Sequence, residues 1–108
     1  ASSGANAAAF FSTSDIRLKE NVEDLPSQLS NILALRPVEF DFKDGSGHQI
    51  GFIAQEVQDV YPDNVGTDDS GYLFLGDMSR MDARLVKAIQ DLNAKVEALE
   101  ARVAELEK

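Results

Sequence analysis

The sequence predicts an α+β fold: a small mixed body with a β-hairpin and short helices over residues 14–77, then a long C-terminal helix over 78–108. Three observations carry this. Residues 38–42 alternate apolar and acidic and run into a glycine-rich turn. Residues 25–35 and 54–61 space their apolar side chains as helices do. The final stretch holds an unbroken heptad pattern.

Residues 1–13, ASSGANAAAFFST, are small and uncharged and read as a linker or the end of something larger, with Phe10 and Phe11 as candidates to dock on the body. Charge begins at Asp15, and DIRLKENV (15–22) reads as a short strand or extended segment. In Leu25–Leu35, Leu25, Leu29, Ile32 and Leu33 recur at helical spacing, and Pro26 is tolerated in a first turn. Pro37 requires an extended Arg36 before it. Val38, Phe40 and Phe42 then share one face of a strand whose other face holds Glu39 and Asp41.

Asp44-Gly45-Ser46-Gly47 is a turn signal, and 48–53 reads as the returning strand, with His48, Ile50 and Phe52 on its apolar face. Ala54–Tyr61 returns to helical spacing, and Pro62 ends it. Residues 63–71 read as a polar loop, and 72–75 as a third short strand.

Leu85, Ile89, Leu92, Val96, Leu99, Val103 and Leu106 alternate spacings of four and three, which puts Ile89, Val96 and Val103 at a and the leucines at d. Lys95 and Arg102 fall at g, Glu100 and Glu107 at e. In a parallel coil each g faces an e of opposite charge, so parallel association is favoured. The alternative is a single amphipathic helix lying back on its own body; the unslipped 3.5-residue period and the matched charges argue for the coil. Val or Ile at a with Leu at d leans to two strands, whereas Val86 at e and Ala88 at g widen the apolar face toward a larger bundle. Ser79 is the expected N-cap, with Asp82 in the first turn. A helix of about 30 residues extends roughly 45 Å, too long for so small a body to cover.

Composition excludes several functions. The chain has 108 residues, one histidine, no cysteine and a net charge of −9. Disulfides, thiolate metal sites and cysteine nucleophiles are therefore excluded. The acidic balance argues against nucleic-acid and anionic-membrane partners. No apolar run is long enough to span a bilayer, and no signal peptide is visible, so secretion by its own signal is not expected. There is no phosphate-binding glycine loop and no cofactor motif. Asp63, Asn64, Asp68 and Asp69 invite comparison with a calcium loop but lack the glycine at six and glutamate at twelve that such a loop needs.

The candidate chemistry is a Ser–Lys pair, Ser14 and Lys19. A neutral lysine can take the proton of a serine hydroxyl, and withdrawal from water or a neighbouring cation such as Arg17 favours the neutral form. In a strand, positions five apart face opposite ways and lie about 16 Å apart. In a helix they sit about 140° apart around the axis. The chain must therefore turn sharply between the two, or the pair must form between subunits. His48 reads either as a partly buried ring or as an orienting or acid–base group beside this segment. Gln55 and Glu56 open a helix, or make polar contacts at a subunit boundary.

Four motifs in this order resemble a known family. SDIRLKENV (14–22) is similar to its S-D-x-R-L-K-x-N-[IV] opening, and LRPVEF (35–40) to its L-R-P-V-x-[FY] strand. GFIAQEV (51–57), followed by Tyr61-Pro62, is similar to its G-[FL]-I-A-Q-E-V segment, and LVKAIQ (85–90) to the start of its last helix. The family is the self-cleaving intramolecular chaperone domain at the C-terminus of phage tailspikes and tail fibres, endosialidases included; the resemblance covers roughly residues 14–108. It implies a homotrimer with a parallel trimeric coiled coil, clasping the parent fibre chain, helping it fold and then releasing itself. Ser14 would be the nucleophile and Lys19 its base, with Asp15, Arg17, His48, Gln55 and Glu56 as supporting candidates. No cofactor or metal is implied. The setting implied is a virion fibre precursor in the infected bacterial cytoplasm. A structural trimerisation cap without cleavage is the alternative, and a binding adaptor using the acidic body has no motif behind it.

Overall fold

The computed structural model describes residues 13–76 and 78–108; the 1–12 segment, with the expected docking of Phe10 and Phe11, lies outside the described residues. In chain order come a 3-10 turn (Ile16–Leu18), helix α1 (Leu29–Leu33), strands β1 (Val38–Asp41) and β2 (His48–Gly51), helix α2 (Ala54–Val60), a second 3-10 turn (Pro62–Asn64), strands β3 (Val65–Thr67) and β4 (Leu73–Leu75), and helix α3 (Met78–Leu106).

The first hairpin forms as expected, with Val38 opposite Gly51 and Asp41 opposite His48. Gly45 and Gly47 take positive φ in its turn, and the Asp44 carboxylate accepts the Ser46 N–H at 2.9 Å. The facing of β2 differs from the expectation. His48 and Ile50 lie opposite Asp41 and Glu39, so they share the polar face, and Ile50 is 77% exposed. Strand β2 ends at Gly51, and Phe52 reaches the core from the bend into α2, outside the strand's alternation.

A second hairpin occupies part of the expected polar loop. Val65 pairs with Leu75 and Thr67 with Leu73. Its turn is built by Asp68, whose carboxylate accepts the N–H groups of Ser70 and Tyr72, each at 2.9 Å. Gly66 lets the Phe74 ring lie across it: a Cβ there would sit 2.5 Å from the ring, which would have to move aside.

Helix α1 is shorter than the expected 25–35 span. The Gln28 carbonyl accepts its first hydrogen bond, from Ile32 N at 2.9 Å. The side chain of Gln28 accepts from the Tyr61 hydroxyl at 2.8 Å, which ties the start of α1 to the end of α2.

The core is Val57, Tyr61 and Met81, ringed by Ile32, Leu35, Phe52, Val60, Val65, Leu75 and Leu85; Leu29 and Ala88 are also buried. Helix α3 thus joins the body through its first three turns, by Met81, Leu85 and Ala88. From Leu92 to Lys108 every residue is exposed. The helix leaves the body rather than lying back along it. Leu85, expected in the seam, belongs to the core of its own chain, so the open apolar stripe starts at Val86 and Ile89. The helix begins at Met78, which puts Ser79 inside the first turn instead of at the cap. Among the described residues no helix is long and apolar enough to cross a membrane.

A polar latch fixes the helix to the body. Arg84, only 15% exposed, donates to Asp63 at 2.6 Å and to the Asn64 side chain, and its guanidinium lies 4.0 Å over the Tyr61 ring. Arg80, one turn earlier, donates to the same Asp63 carboxylate at 3.0 Å. Asn64 is buried and exchanges two hydrogen bonds with Gly76: its amide donates to the Gly76 carbonyl at 2.7 Å and its own carbonyl accepts Gly76 N at 2.8 Å.

Candidate active site: Ser14 and Lys19

The expected strand at 15–22 is replaced by a turn, and the turn makes the site. Asp15 has an extended backbone, and its carboxylate accepts the Arg17 N–H at 2.8 Å, as a capping aspartate does. Leu18 N then donates to the Asp15 carbonyl at 3.0 Å and Lys19 N to the Ile16 carbonyl at 3.1 Å. This compact turn brings the Lys19 ammonium nitrogen to 2.9 Å from the Ser14 hydroxyl, within one chain. Of the two routes to that contact, a sharp turn or a pair between subunits, the chain takes the first. Asn21, at φ +54°, redirects the chain just beyond; asparagine tolerates that region better than most side chains.

Asp15 and Arg17 are further joined by a side-chain fork, Nε to Oδ1 at 3.1 Å and Nη2 to Oδ2 at 2.7 Å. Arg17's side-chain bonds hold the Asp15 carboxyl below the usual carboxylate range, and the Asp15 carboxylate raises Arg17 in turn. Ser14 and Lys19 are both exposed. The contact between a serine hydroxyl and a lysine amine is the arrangement that general-base activation of a nucleophile requires.

The remaining candidates have other partners. His48 bonds Asp41 at 2.7 Å and Glu39 at 3.2 Å; these bonds raise its pKa above 6.5. Both partners are carboxylates, so the geometry suits the doubly protonated ring. Glu56 is gripped by Arg36 through Nε at 3.1 Å and Nη2 at 2.5 Å, which lowers its carboxyl and ties the approach to β1 to the first turn of α2. Gln55 is exposed and lines an apolar groove with Phe40, Phe42 and Phe74. Among the described residues neither His48 nor Glu56 bonds Ser14 or Lys19. Asp63 and Asn64 serve the latch and Asp68 a turn, so three of the four carboxylate and amide groups of that loop have structural work.

The latch is not legible in the sequence. Arg80 and Arg84 stand four apart on one helix face, a spacing that could have flagged them, but nothing in the sequence names Asp63 and Asn64 as their partners.

A family profile described as "Chaperone of endosialidase" matches residues 14–66, the segment that opens with Ser14. Two relatives named "Long tail fiber protein Gp37", from Enterobacteria phage K3 and Enterobacteria phage T2, are each 35% identical over 106 residues, which is 91% of this chain. The chain spans 8% of the length of those relatives. With the turn around Ser14 and Lys19 falling at the head of the matched segment, the chain belongs to the endosialidase-chaperone family, the C-terminal chaperone domains of phage fibre proteins.

Proposed function

We propose that the chain is a trimeric intramolecular chaperone that assists assembly of a phage fibre and then releases itself by autoproteolysis beside Ser14. The observation that carries the catalytic half is the 2.9 Å contact of Lys19 Nζ with Ser14 Oγ. Lys19, when neutral, takes the hydroxyl proton as Ser14 Oγ attacks the carbonyl carbon of Thr13. A five-membered ring closes in that attack, the Thr13–Ser14 amide breaks to an ester on Oγ, and the freed Ser14 amine takes up the proton. Water then hydrolyses the ester and releases a chain that starts at Ser14. Attack by Oγ on its own residue's carbonyl would close a strained four-membered ring, which favours the Thr13–Ser14 bond.

The trimeric half rests on the apolar stripe of α3. Ile89, Leu92, Val96, Leu99, Val103 and Leu106 are between 42% and 79% exposed in one chain. A stripe that long on a helix otherwise rich in charged residues of both signs is the surface of a coil partner. Trimer formation near the body would also help withdraw the exposed dyad from water, the condition a lysine base needs. Residues 14–77 then act as the chaperone body and 78–108 as the coil, in a fibre precursor within the infected bacterial cell. The test is substitution: Ser14→Ala and Lys19→Ala should each stay full length on a denaturing gel, and cleavage of either at the same bond would overturn the dyad.

A second reading, a structural trimerisation cap without cleavage, is favoured by the exposure of both Ser14 and Lys19 in the single chain. It predicts that the unsubstituted chain also stays full length.

A further inference from the structure

We infer that Asp15 is a positioning residue for the cleavage, acting as the cap that folds the dyad turn, with Arg17 as the clasp that holds the cap in place. This rests on the proposed Ser14–Lys19 chemistry. Five residues of spacing do not bring two side chains together in a strand or an α-helix, so the dyad exists only while the 15–19 turn is closed.

Little else closes that turn. It contains no buried residue, and Ile16 and Leu18 are 69% and 71% exposed, so apolar packing within the chain does not hold it. Its two backbone hydrogen bonds belong to a single short turn, which is marginal by itself in water. The added restraint is the Asp15 carboxylate. Oδ1 accepts the Arg17 N–H at 2.8 Å and Arg17 Nε at 3.1 Å, and Oδ2 accepts Nη2 at 2.7 Å and Nε at 3.2 Å. The backbone bond shapes the turn; the guanidinium bonds stop the carboxylate from swinging out to solvent. Asp15 touches neither Ser14 Oγ nor Lys19 Nζ through these bonds and acts on the chemistry through geometry.

A cap role and a charge role make opposite predictions at this position. Asparagine keeps an oxygen at the capping distance and lacks the charge, whereas glutamate keeps the charge and moves the oxygen out by one methylene. Asparagine caps well and alanine poorly. The full chain is made by cell-free synthesis, and the full-length and cleaved masses are followed with time for the unsubstituted chain, S14A, D15A, D15N, D15E and R17A. Trimer mass and melting temperature are measured alongside. Removal of a cap corresponds to a fall of about tenfold, so D15A and D15E should cleave about tenfold slower. D15N should stay within about threefold of the unsubstituted rate, and R17A should fall between. In the S14A background, amide exchange at Arg17 should be slow, and should speed up on adding D15A but not D15N.

Cleavage by D15A at the unsubstituted rate, with S14A inert, overturns the inference and leaves the dyad standing. D15E cleaving faster than D15N overturns it in favour of a charge role. Cleavage by S14A, or none by the unsubstituted chain, overturns the dyad and the inference together.

Discussion

Leu99→Ala probes the seam of α3 without touching the body. Leu99 stands about three turns beyond the last core contact, Ala88, and is 61% exposed in one chain. Full burial of a leucine side chain stabilises by about 1.5–3 kcal/mol. Association can bury only the share that a single chain leaves open, so the substitution removes about 1–2 kcal/mol per chain. A trimer contains the position three times, which gives about 3–6 kcal/mol and a fall in the association constant of about a hundredfold to ten-thousandfold. The isolated helix loses nothing, since alanine is the best helix former. Sedimentation equilibrium over a concentration series reads the change. A matched Ala101→Gln variant, at the f position on the outside of the coil, should associate as the unsubstituted chain does. If Leu99→Ala assembles with unchanged affinity, or the unsubstituted chain sediments as a monomer at all concentrations, the assignment of this stripe to a coil is wrong.

Other consequences can be measured directly. Because Ser14 and Lys19 meet within one chain, mixed trimers of Ser14→Ala and Lys19→Ala chains should not cleave; complementation between them would place the dyad across subunits. Arg84→Met removes the donor to Asp63 and to buried Asn64, and should lower stability by about 1–3 kcal/mol in urea melts; a midpoint unchanged from the unsubstituted chain contradicts the latch. His48 has its pKa raised above 6.5 by Asp41 and then Glu39. Its contribution to the hairpin is therefore complete below 6.5 and is lost as pH rises through the raised value. An NMR titration should give a midpoint above 6.5, and a midpoint at or below it contradicts the bridge. Asp63 is lowered by Arg84 first, so the latch should hold at neutral pH and weaken as acid protonates the carboxylate below the ordinary range near 3.8.

Periodicity made the larger elements legible. The alternation of Val38 and Phe40 became β1, the spacing of Val57 and Val60 became α2 with Tyr61 at its C-cap, and the heptads became a single helix from Met78 to Leu106. What escaped was decided by single contacts. Ile16 and Leu18 alternate as in a strand, yet the Asp15 cap closes a turn there, a side-chain-to-backbone bond that no period encodes. Strand β3 has one apolar residue and a glycine, so Val65-Gly66-Thr67 looks like loop until the Phe74 ring covers Gly66 from the partner strand. Counting in twos to Phe52 puts His48 on the apolar face, but the strand stops at Gly51, and the count has no meaning past its end. Leu85 fits both the heptad and the core, and only the position of α1 and Phe52 decides for the core. At the site, the residue types were legible and the contact was not: the Ser14–Lys19 distance depends on the turn that the pattern concealed.

The central claim is that Ser14 and Lys19 cut the chain beside Ser14. The intact mass of the freshly expressed chain, with its N-terminal residue mapped, tests it most directly. The account predicts a species that begins at Ser14 and lacks residues 1–13, absent from the Ser14→Ala chain. Only full-length chain, or a terminus away from Ser14 that survives the Ser14→Ala substitution, would contradict it.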